Sequence, residues 1–327
     1  MKIYMQLRRN SLILILACSL IVVSCKKSDS KNEDSPVAET EAEATQFFKL
    51  SLAQWSMNKA IRFEGQDPTE FAQRAAEMGF EGLEYVSQLY NSQLESIGMD
   101  SLLVVLKANS EKYNIKNLLI MVDGEGDLAA VDEKVRDEAV ENHKKWVDAA
   151  AYLDCHSIRV NTFGTNDPEV WKETATDGLK KLSTYAATKN INVLVENHGW
   201  LSSDAPKLAE VMKAVGMDNC GTLPDFGNWC VKRAEGAKWG ECVEEYPDIY
   251  EGTKLLMPFA KAVSAKSHDF DENGKETKID YTKMLQVVKD AGYTGYIGVE
   301  YEGSELSEAD GIKATKDLLI AAAKELN

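Results

Sequence analysis

Between residues 47 and 326 the sequence alternates short apolar runs with long amphipathic stretches eight times over, and this alternation restricts the fold more than any other feature. The apolar runs fall at residues 47–56, 82–86, 116–122, 157–161, 192–196, 221–225, 262–268 and 296–301. Helical periodicity follows each of them, over 68–78, 94–113, 132–153, 168–189, 204–215, 247–258, 281–290 and 308–326. Runs such as Asn-Val-Leu-Val and Tyr-Ile-Gly-Val carry apolar residues at consecutive positions, as parallel strands covered on both faces do. Helix ends are marked in the expected way, with Asp67 opening the first helical stretch and Gly79 closing it. Eight strict βα units predict an α/β protein with a closed (β/α)8 TIM barrel as a single domain over residues 46–327. No GxGxxG follows the first run, which argues against a dinucleotide-binding open sheet. One irregular insertion interrupts the pattern, from residue 226 to about 244.

In such a barrel the reactive side chains stand where strands end, at the C-terminal rim. The second run closes on Glu84 and the fourth on Arg159 and Asn161. The fifth closes on Glu196 and His198, and the sixth on Asp225 followed by Asn228. The seventh closes on Lys266 and His268, and the eighth on Glu300. Four consecutive strands thus put Glu196, Asp225, His268 and Glu300 at one rim. Three carboxylates gathered in a partly desolvated site repel one another, and a divalent cation relieves that repulsion. Three oxygen donors and one imidazole suit Mn²⁺ first, with Mg²⁺, Co²⁺ or Zn²⁺ as alternatives.

The segments Val-Glu196-Asn-His-Gly, Leu-Pro-Asp225-Phe-Gly-Asn, Lys-Ser-His268-Asp and Gly-Val-Glu300-Tyr-Glu-Gly together resemble the xylose-isomerase-like superfamily of sugar isomerases and epimerases. The resemblance covers about residues 47–326. It implies that Glu196, Asp225, His268 and Glu300 bind the metal. It also implies that Glu196 and Glu300 exchange protons with opposite faces of a bound ketose while the cation stabilises the enediolate. Two departures bear on that relay. Epimerases of this kind carry a histidine where Asn228 stands, and an arginine soon after the strand-7 histidine, where this chain reads Asp-Phe-Asp-Glu-Asn-Gly-Lys.

The remaining rim residues have weaker assignments. Glu84, Arg159, His198 and Asn228 are candidate substrate contacts, with an Arg159–Glu84 ion pair as the structural alternative for those two. Lys266 is a candidate catalytic residue, polarising a carbonyl or acting as a base if the metal lowers its pKa, against the alternative of a barrel-interior lysine neutralised by an acid. Trp55, Trp200, Trp229 and Trp239 are placed to stack on a sugar or to pack the rim. His143 and His156 read as structural.

The N-terminal residues 1–24 read as an export signal, with Lys2, Arg8 and Arg9 ahead of an apolar run too short to span a bilayer. The run closes in Val-Val-Ser-Cys25, which resembles a bacterial lipobox and implies lipidation of Cys25. Residues 25–45 are then a polar tether. The expected address is an exported, membrane-anchored lipoprotein facing the periplasm or the cell surface, touching the membrane only through its lipid. A formal net charge of −16 excludes nucleic acid as a partner and argues against a nuclease on the same fold. Among the other cysteines there is no CxxC, which argues against a zinc-thiolate site; Cys155 and Cys220 read as buried, and Cys230 and Cys242 as a pair able to bridge within the insertion.

The function that follows is a metal-dependent isomerase or epimerase acting on a neutral keto-sugar through an enediolate. A metal-dependent lyase or hydratase on 3-keto-glycosides or their unsaturated products begins with the same proton removal and stands as the first alternative. A non-catalytic sugar-binding lipoprotein is the second. Phosphorylated substrates are disfavoured, because the loops after the last two strands carry Asp269, Asp271, Glu272, Glu302, Glu305, Glu308 and Asp310 where barrels often hold phosphate.

Overall fold

The computed structural model describes residues 46–327; the expected signal, Cys25 and the tether lie outside them. Eight parallel strands form the inner wall: β1 (Lys49–Ala53), β2 (Gly82–Val86), β3 (Lys116–Met121), β4 (Ser157–Val160), β5 (Asn192–Glu196) and β6 (Cys220–Leu223), followed after an insertion by β9 (Val263–Ser267) and β10 (Tyr296–Tyr301). Sequential strands pair, and β1 closes against β10 with Ser51 opposite Gly298. The seam between β6 and β9 is completed by two single bridges, Thr222 to Ala260 and Asp225 to Ser264. The ring is therefore closed, as the alternation predicts, and its last seam is its thinnest.

The helices are α1 (Asn58–Phe63), α2 (Phe71–Glu77), α3 (Asn91–Lys112), α4 (Glu133–Tyr152), α5 (Pro168–Ala187), α6 (Ala205–Val215), α7 (Ile249–Leu256), α8 (Tyr281–Asp290) and α9 (Glu308–Glu325). Their starts follow from side-chain capping. Asp132, Asp167, Asp204, Asp248 and Asp280 each accept a backbone N–H of the first helical turn, and such a cap is worth about 1 kcal/mol. The second helical stretch, expected to be continuous, is broken at Gly98, whose φ of +75° only glycine adopts without strain. The insertion is more regular than expected. It forms an antiparallel hairpin of β7 (Cys230–Arg233) and β8 (Cys242–Glu245), and a disulfide joins Cys230 to Cys242. Cys155 and Cys220 are free and buried.

Side chains of a strand alternate between the helix layer and the barrel interior. Leu119, Met121, Leu194 and Leu223 share one small buried cluster with Ala53, Val86, Leu89 and Ala262. Leu194 lies two residues before Glu196, so the same face of β5 carries first an apolar side chain and then the candidate carboxylate. The larger cluster lies between strands and helices and includes Trp146, Trp171, Phe226 and Tyr281.

Candidate active site

Glu196, Asp225 and Glu300 meet at the barrel mouth: one carboxylate oxygen from each lies within 4.8 Å of the others, and all three residues are buried. Each is held differently. Glu196 Oε1 accepts from Asn228 Nδ2 at 2.8 Å, and its Oε2 lies 2.8 Å from Arg159 Nε. Asp225 Oδ1 accepts the backbone N–H groups of Gly227 (2.9 Å) and Asn228 (2.7 Å). Asn197, missed in the sequence, locks this turn by accepting from Asp225 N and donating to the Asp225 and Asn228 carbonyls. Glu300 Oε2 accepts from Ser264 Oγ at 3.2 Å, and its Oε1 lies 3.3 Å from Lys266 Nζ.

Burial drives the electrostatics. It pushes the Asp225 carboxyl well above the usual range, with Lys266 pulling the other way. Glu300 is raised by burial and drawn back by Lys266 to about 7. Burial alone would lower the Lys266 ammonium, but Glu300, Glu302, Asp225 and Glu196 hold it well above its ordinary value. Among these acids Lys266 stays charged and donates, to Glu302 at 3.1 Å and beside Glu300.

The donor chemistry fits a divalent cation. Three buried carboxylates converge; Asp225 Oδ2 lacks a hydrogen-bond donor among the described residues, while Glu196 Oε2 is met by the Arg159 guanidinium. A buried carboxylate oxygen without a donor is costly, and a cation would satisfy it. His268, expected as the fourth ligand, is not in this group. It is half-buried at the end of β9, and Lys266, two residues earlier on the same strand, reaches the carboxylates instead.

Other expectations are corrected. Arg159 pairs with Asp123 (Nη1 to Oδ1, 3.0 Å) and Glu196, not with Glu84. Glu84 is buried and accepts from Ser51 Oγ at 2.6 Å. A Cβ on Gly298 would lie 2.5 Å from its Oε1, so β10 needs glycine there to admit the carboxylate. Burial, then the nearby Glu300 and Glu196, raise Glu84 to about 8. Glu84, like Glu196 and Asp225, is buried behind the residues that line the cavity.

Asp123, just past β3, was also missed; its run closes on an apolar residue and the acid follows in the loop. Burial pushes its carboxyl up, but Arg159 outweighs this and holds it below the usual range. Asp123 Oδ1 accepts from Asn161 Nδ2 at 2.6 Å, which turns Asn161 Oδ1 toward His198 Nδ1 at 2.7 Å. His198 Nδ1 must then carry the proton, leaving Nε2 as an acceptor. Burial, with Arg159 and Lys266 nearby, lowers His198 to about 3, so the ring is neutral.

These groups open into one cavity of about 920 Å³ whose lining includes Arg159, His198, Asn228, Lys266, Glu300 and Glu302. Trp55 and Trp239 also line it, whereas Trp229 is buried against Tyr246 and donates its Nε1–H to the Phe226 carbonyl. His143 is buried and its Nδ1 lies 2.7 Å from the Ala139 carbonyl, and His156 lies beside Ser157, consistent with structural roles.

The profile of a family described as xylose isomerase-like TIM barrel matches residues 72–322. Among solved structures, an IOLI protein with a bound zinc atom superposes with a TM-score of 0.63 at 15% identity, covering 85% of this chain and 99% of that one. A 3-keto-D-glucoside 4-epimerase from E. coli gives a TM-score of 0.62 at 14% identity, covering 83% and 98%. At these identities the likeness is one of fold. A 3'-dehydrocarminate deglycosidase alpha subunit from Microbacterium sp is 38% identical over 60 residues, which is 18% of this chain. The chain spans about a sixth of that relative's length, 17%.

Proposed function

The chain belongs to the xylose isomerase-like TIM barrel family, and from that premise we propose that it removes a proton beside the carbonyl of a neutral keto-sugar, as an isomerase or epimerase. The observation that carries this reading is the convergence of Glu196, Asp225 and Glu300 within 4.8 Å, buried beside the Lys266 ammonium. Glu300, raised to about 7, is the base suited to neutral pH. Lys266 donates to the carbonyl oxygen as negative charge develops there. Arg159 and Asn228 fix Glu196, and His198 Nε2 accepts a substrate hydroxyl.

Glu196, Asp225 and Glu300 would hold the cation; an oxygen-only set favours Mn²⁺ or Mg²⁺. When bound, it would add its charge to the stabilisation of the enolate oxygen. In an epimerisation Glu196 would return the proton on the opposite face.

A second reading is elimination from, or hydration next to, the ketone of a 3-keto-glycoside. It is favoured by the local similarity to a deglycosidase subunit and by the asymmetry of the two glutamates, since Glu300 lines the cavity and Glu196 lies behind it against Arg159 and Asn228. Here Glu300 removes the proton, the C–O bond β to the carbonyl breaks with the electron pair leaving on oxygen, and that oxygen takes a proton from the Lys266 ammonium. A lipid anchor at Cys25 would place either reaction outside the cytosol, where neutral sugars are available. Incubation with neutral ketoses and 3-keto-glycosides in D₂O tests the shared step: deuterium should appear beside the carbonyl with wild type and not with Glu300→Gln. Absence of exchange with every ketone would sink the enolisation reading.

A further inference from the structure

The hairpin inserted after Asp225 is tied down at three places, and each tie serves to hold one exposed indole over the cavity. Cys230 and Cys242 close its base. Lys238 Nζ bonds both carboxylate oxygens of Asp127 at 2.8 Å, across to the loop after β3. Trp200 Nε1 donates to the Ala237 carbonyl at 2.9 Å. Directly after these last two anchors, at Ala237 and Lys238, the chain delivers Trp239, which is 53% exposed and lines the cavity. Its ring meets Phe163 edge-on at 5.3 Å and His198 at 5.0 Å, so one side of the indole is braced while much of the ring stays open. What marks this indole is its place, at the rim of the cavity with an open face on which a flat ring can stack.

The cavity extends from this indole to Lys266 and Glu300 without a break. At about 920 Å³ it is near the upper end of the roughly 300–1,000 Å³ usual for small-molecule pockets, which leaves room for more than one ring. His198 joins the two ends: its ring packs on Trp239, and its Nδ1 is oriented by Asn161 beside Arg159 and Asp123.

We propose that the disulfide-braced hairpin forms an outer subsite in which Trp239 stacks on a second ring carried by the substrate, so that the chain takes ring-substituted keto-glycosides in preference to free ketoses. The inference rests on the proposed ketone substrate and specifies what is attached to it. Pyranose and aryl rings both present a flat C–H or π face to an indole, and the substituent would lie outside the reacting end with its bond to the sugar near His198.

Affinities are to be measured by calorimetry for methyl, 4-nitrophenyl and glucosyl 3-keto-β-D-glucosides, with wild type, Trp239→Ala and Trp239→Phe. Wild type should prefer the two-ring probes over the methyl probe. Trp239→Ala should reduce that preference about 3- to 10-fold, and Trp239→Phe should restore much of it. Loss for the nitrophenyl arm alone assigns the subsite to aryl groups, and loss in both arms to rings generally; either supports the subsite. No two-ring preference in wild type, or the same preference in Trp239→Ala, overturns it, as does failure of all three probes to bind. Deuterium exchange followed in the same samples separates the two ideas: a Trp239-dependent ring preference without exchange would reject the enolisation reading and leave the subsite standing.

Discussion

Lys266 and Glu300 occupy facing positions of neighbouring strands, β9 and β10, and their side chains meet 3.3 Å apart in the buried mouth of the barrel. The ammonium occupies ground that a cation shared by Glu300, Asp225 and Glu196 would also claim, and like charges this close repel strongly in a desolvated site. Removing the ammonium while keeping the stem, by Lys266→Met, should therefore raise the affinity for Mn²⁺ by about 10-fold or more. Turnover should fall at the same time, since the donor to the carbonyl oxygen is lost. Unchanged Mn²⁺ affinity by titration calorimetry would mean that Lys266 and the cation do not compete.

The three carboxylates and His268 should separate cleanly in metal content. Asp225 is fully buried with one oxygen unpartnered, so Asp225→Asn should reduce Mn²⁺ affinity by about 100-fold, the effect of losing one charged oxygen ligand. His268→Ala should change it far less, because the imidazole is not among the converging groups. Equal losses in the two variants by elemental analysis would return His268 to the ligand set.

Glu300→Gln keeps the size and an acceptor for Ser264 but cannot take a proton. With both proteins saturated in Mn²⁺, to offset the charged ligand that the variant also loses, its turnover should fall about 100-fold or more while KM moves little, the pattern for a group acting on the proton in flight. A comparable fall in Glu196→Gln would favour a two-face epimerisation; a small one would favour elimination, in which one carboxylate suffices. Equal turnover in wild type and Glu300→Gln would place the base elsewhere.

The barrel was legible because its signal is repetitive: β5, α8 and β10 fall where the apolar runs and helical periodicity put them. Much of the mouth was legible too, because a strand that ends on an acid after a buried aliphatic leaves few alternatives for that acid. What the sequence hid was reach. Lys266 and His268 share a face of the β9 end, and only the packing decides which of them arrives at the carboxylates. Asp123 was hidden because it lies one residue beyond an apolar strand end, and its weight comes from Arg159, 36 positions away. Glu84 looked equivalent to the other strand-end acids, but Ser51 and the bare Gly298 hold it below the mouth.

The hairpin should respond to reductant before the barrel does. Cys230 and Cys242 are 12 residues apart, and closing a loop of that length restricts the open chain by about 3 kcal/mol in the chain-entropy account. Reduction should lower the global unfolding free energy by up to about that amount while leaving the barrel folded. It should also expose residues 234–241 to limited proteolysis, with cuts there several-fold faster than in the oxidised protein. Cleavage at equal rates in both states would show that Lys238–Asp127 and Trp200 hold the hairpin without the disulfide.

Glu84 gives the fold a dependence on pH that can be isolated. Burial raises its carboxyl from 4.5 to about 8 in the folded protein, whereas the unfolded chain returns it to the ordinary range. Below the unfolded value both states hold the proton, and the neutral acid costs nothing on ionisation. Between the two values only the folded state keeps it, so stability falls as pH rises, and the loss is complete once the folded group ionises. Glu84→Gln keeps the shape beside Gly298 and an acceptor for Ser51 Oγ but cannot ionise. The variant should gain on wild type as pH climbs from about 5 to about 8, by on the order of 3–5 kcal/mol across that window. Urea unfolding of the metal-free proteins at several pH values measures the difference directly. Asp225 and Glu300, also raised, tilt both curves in the same direction, so the difference between the curves reports Glu84 together with its coupling to Glu300. Parallel curves for the two proteins would mean that Glu84 is not held neutral in the folded barrel.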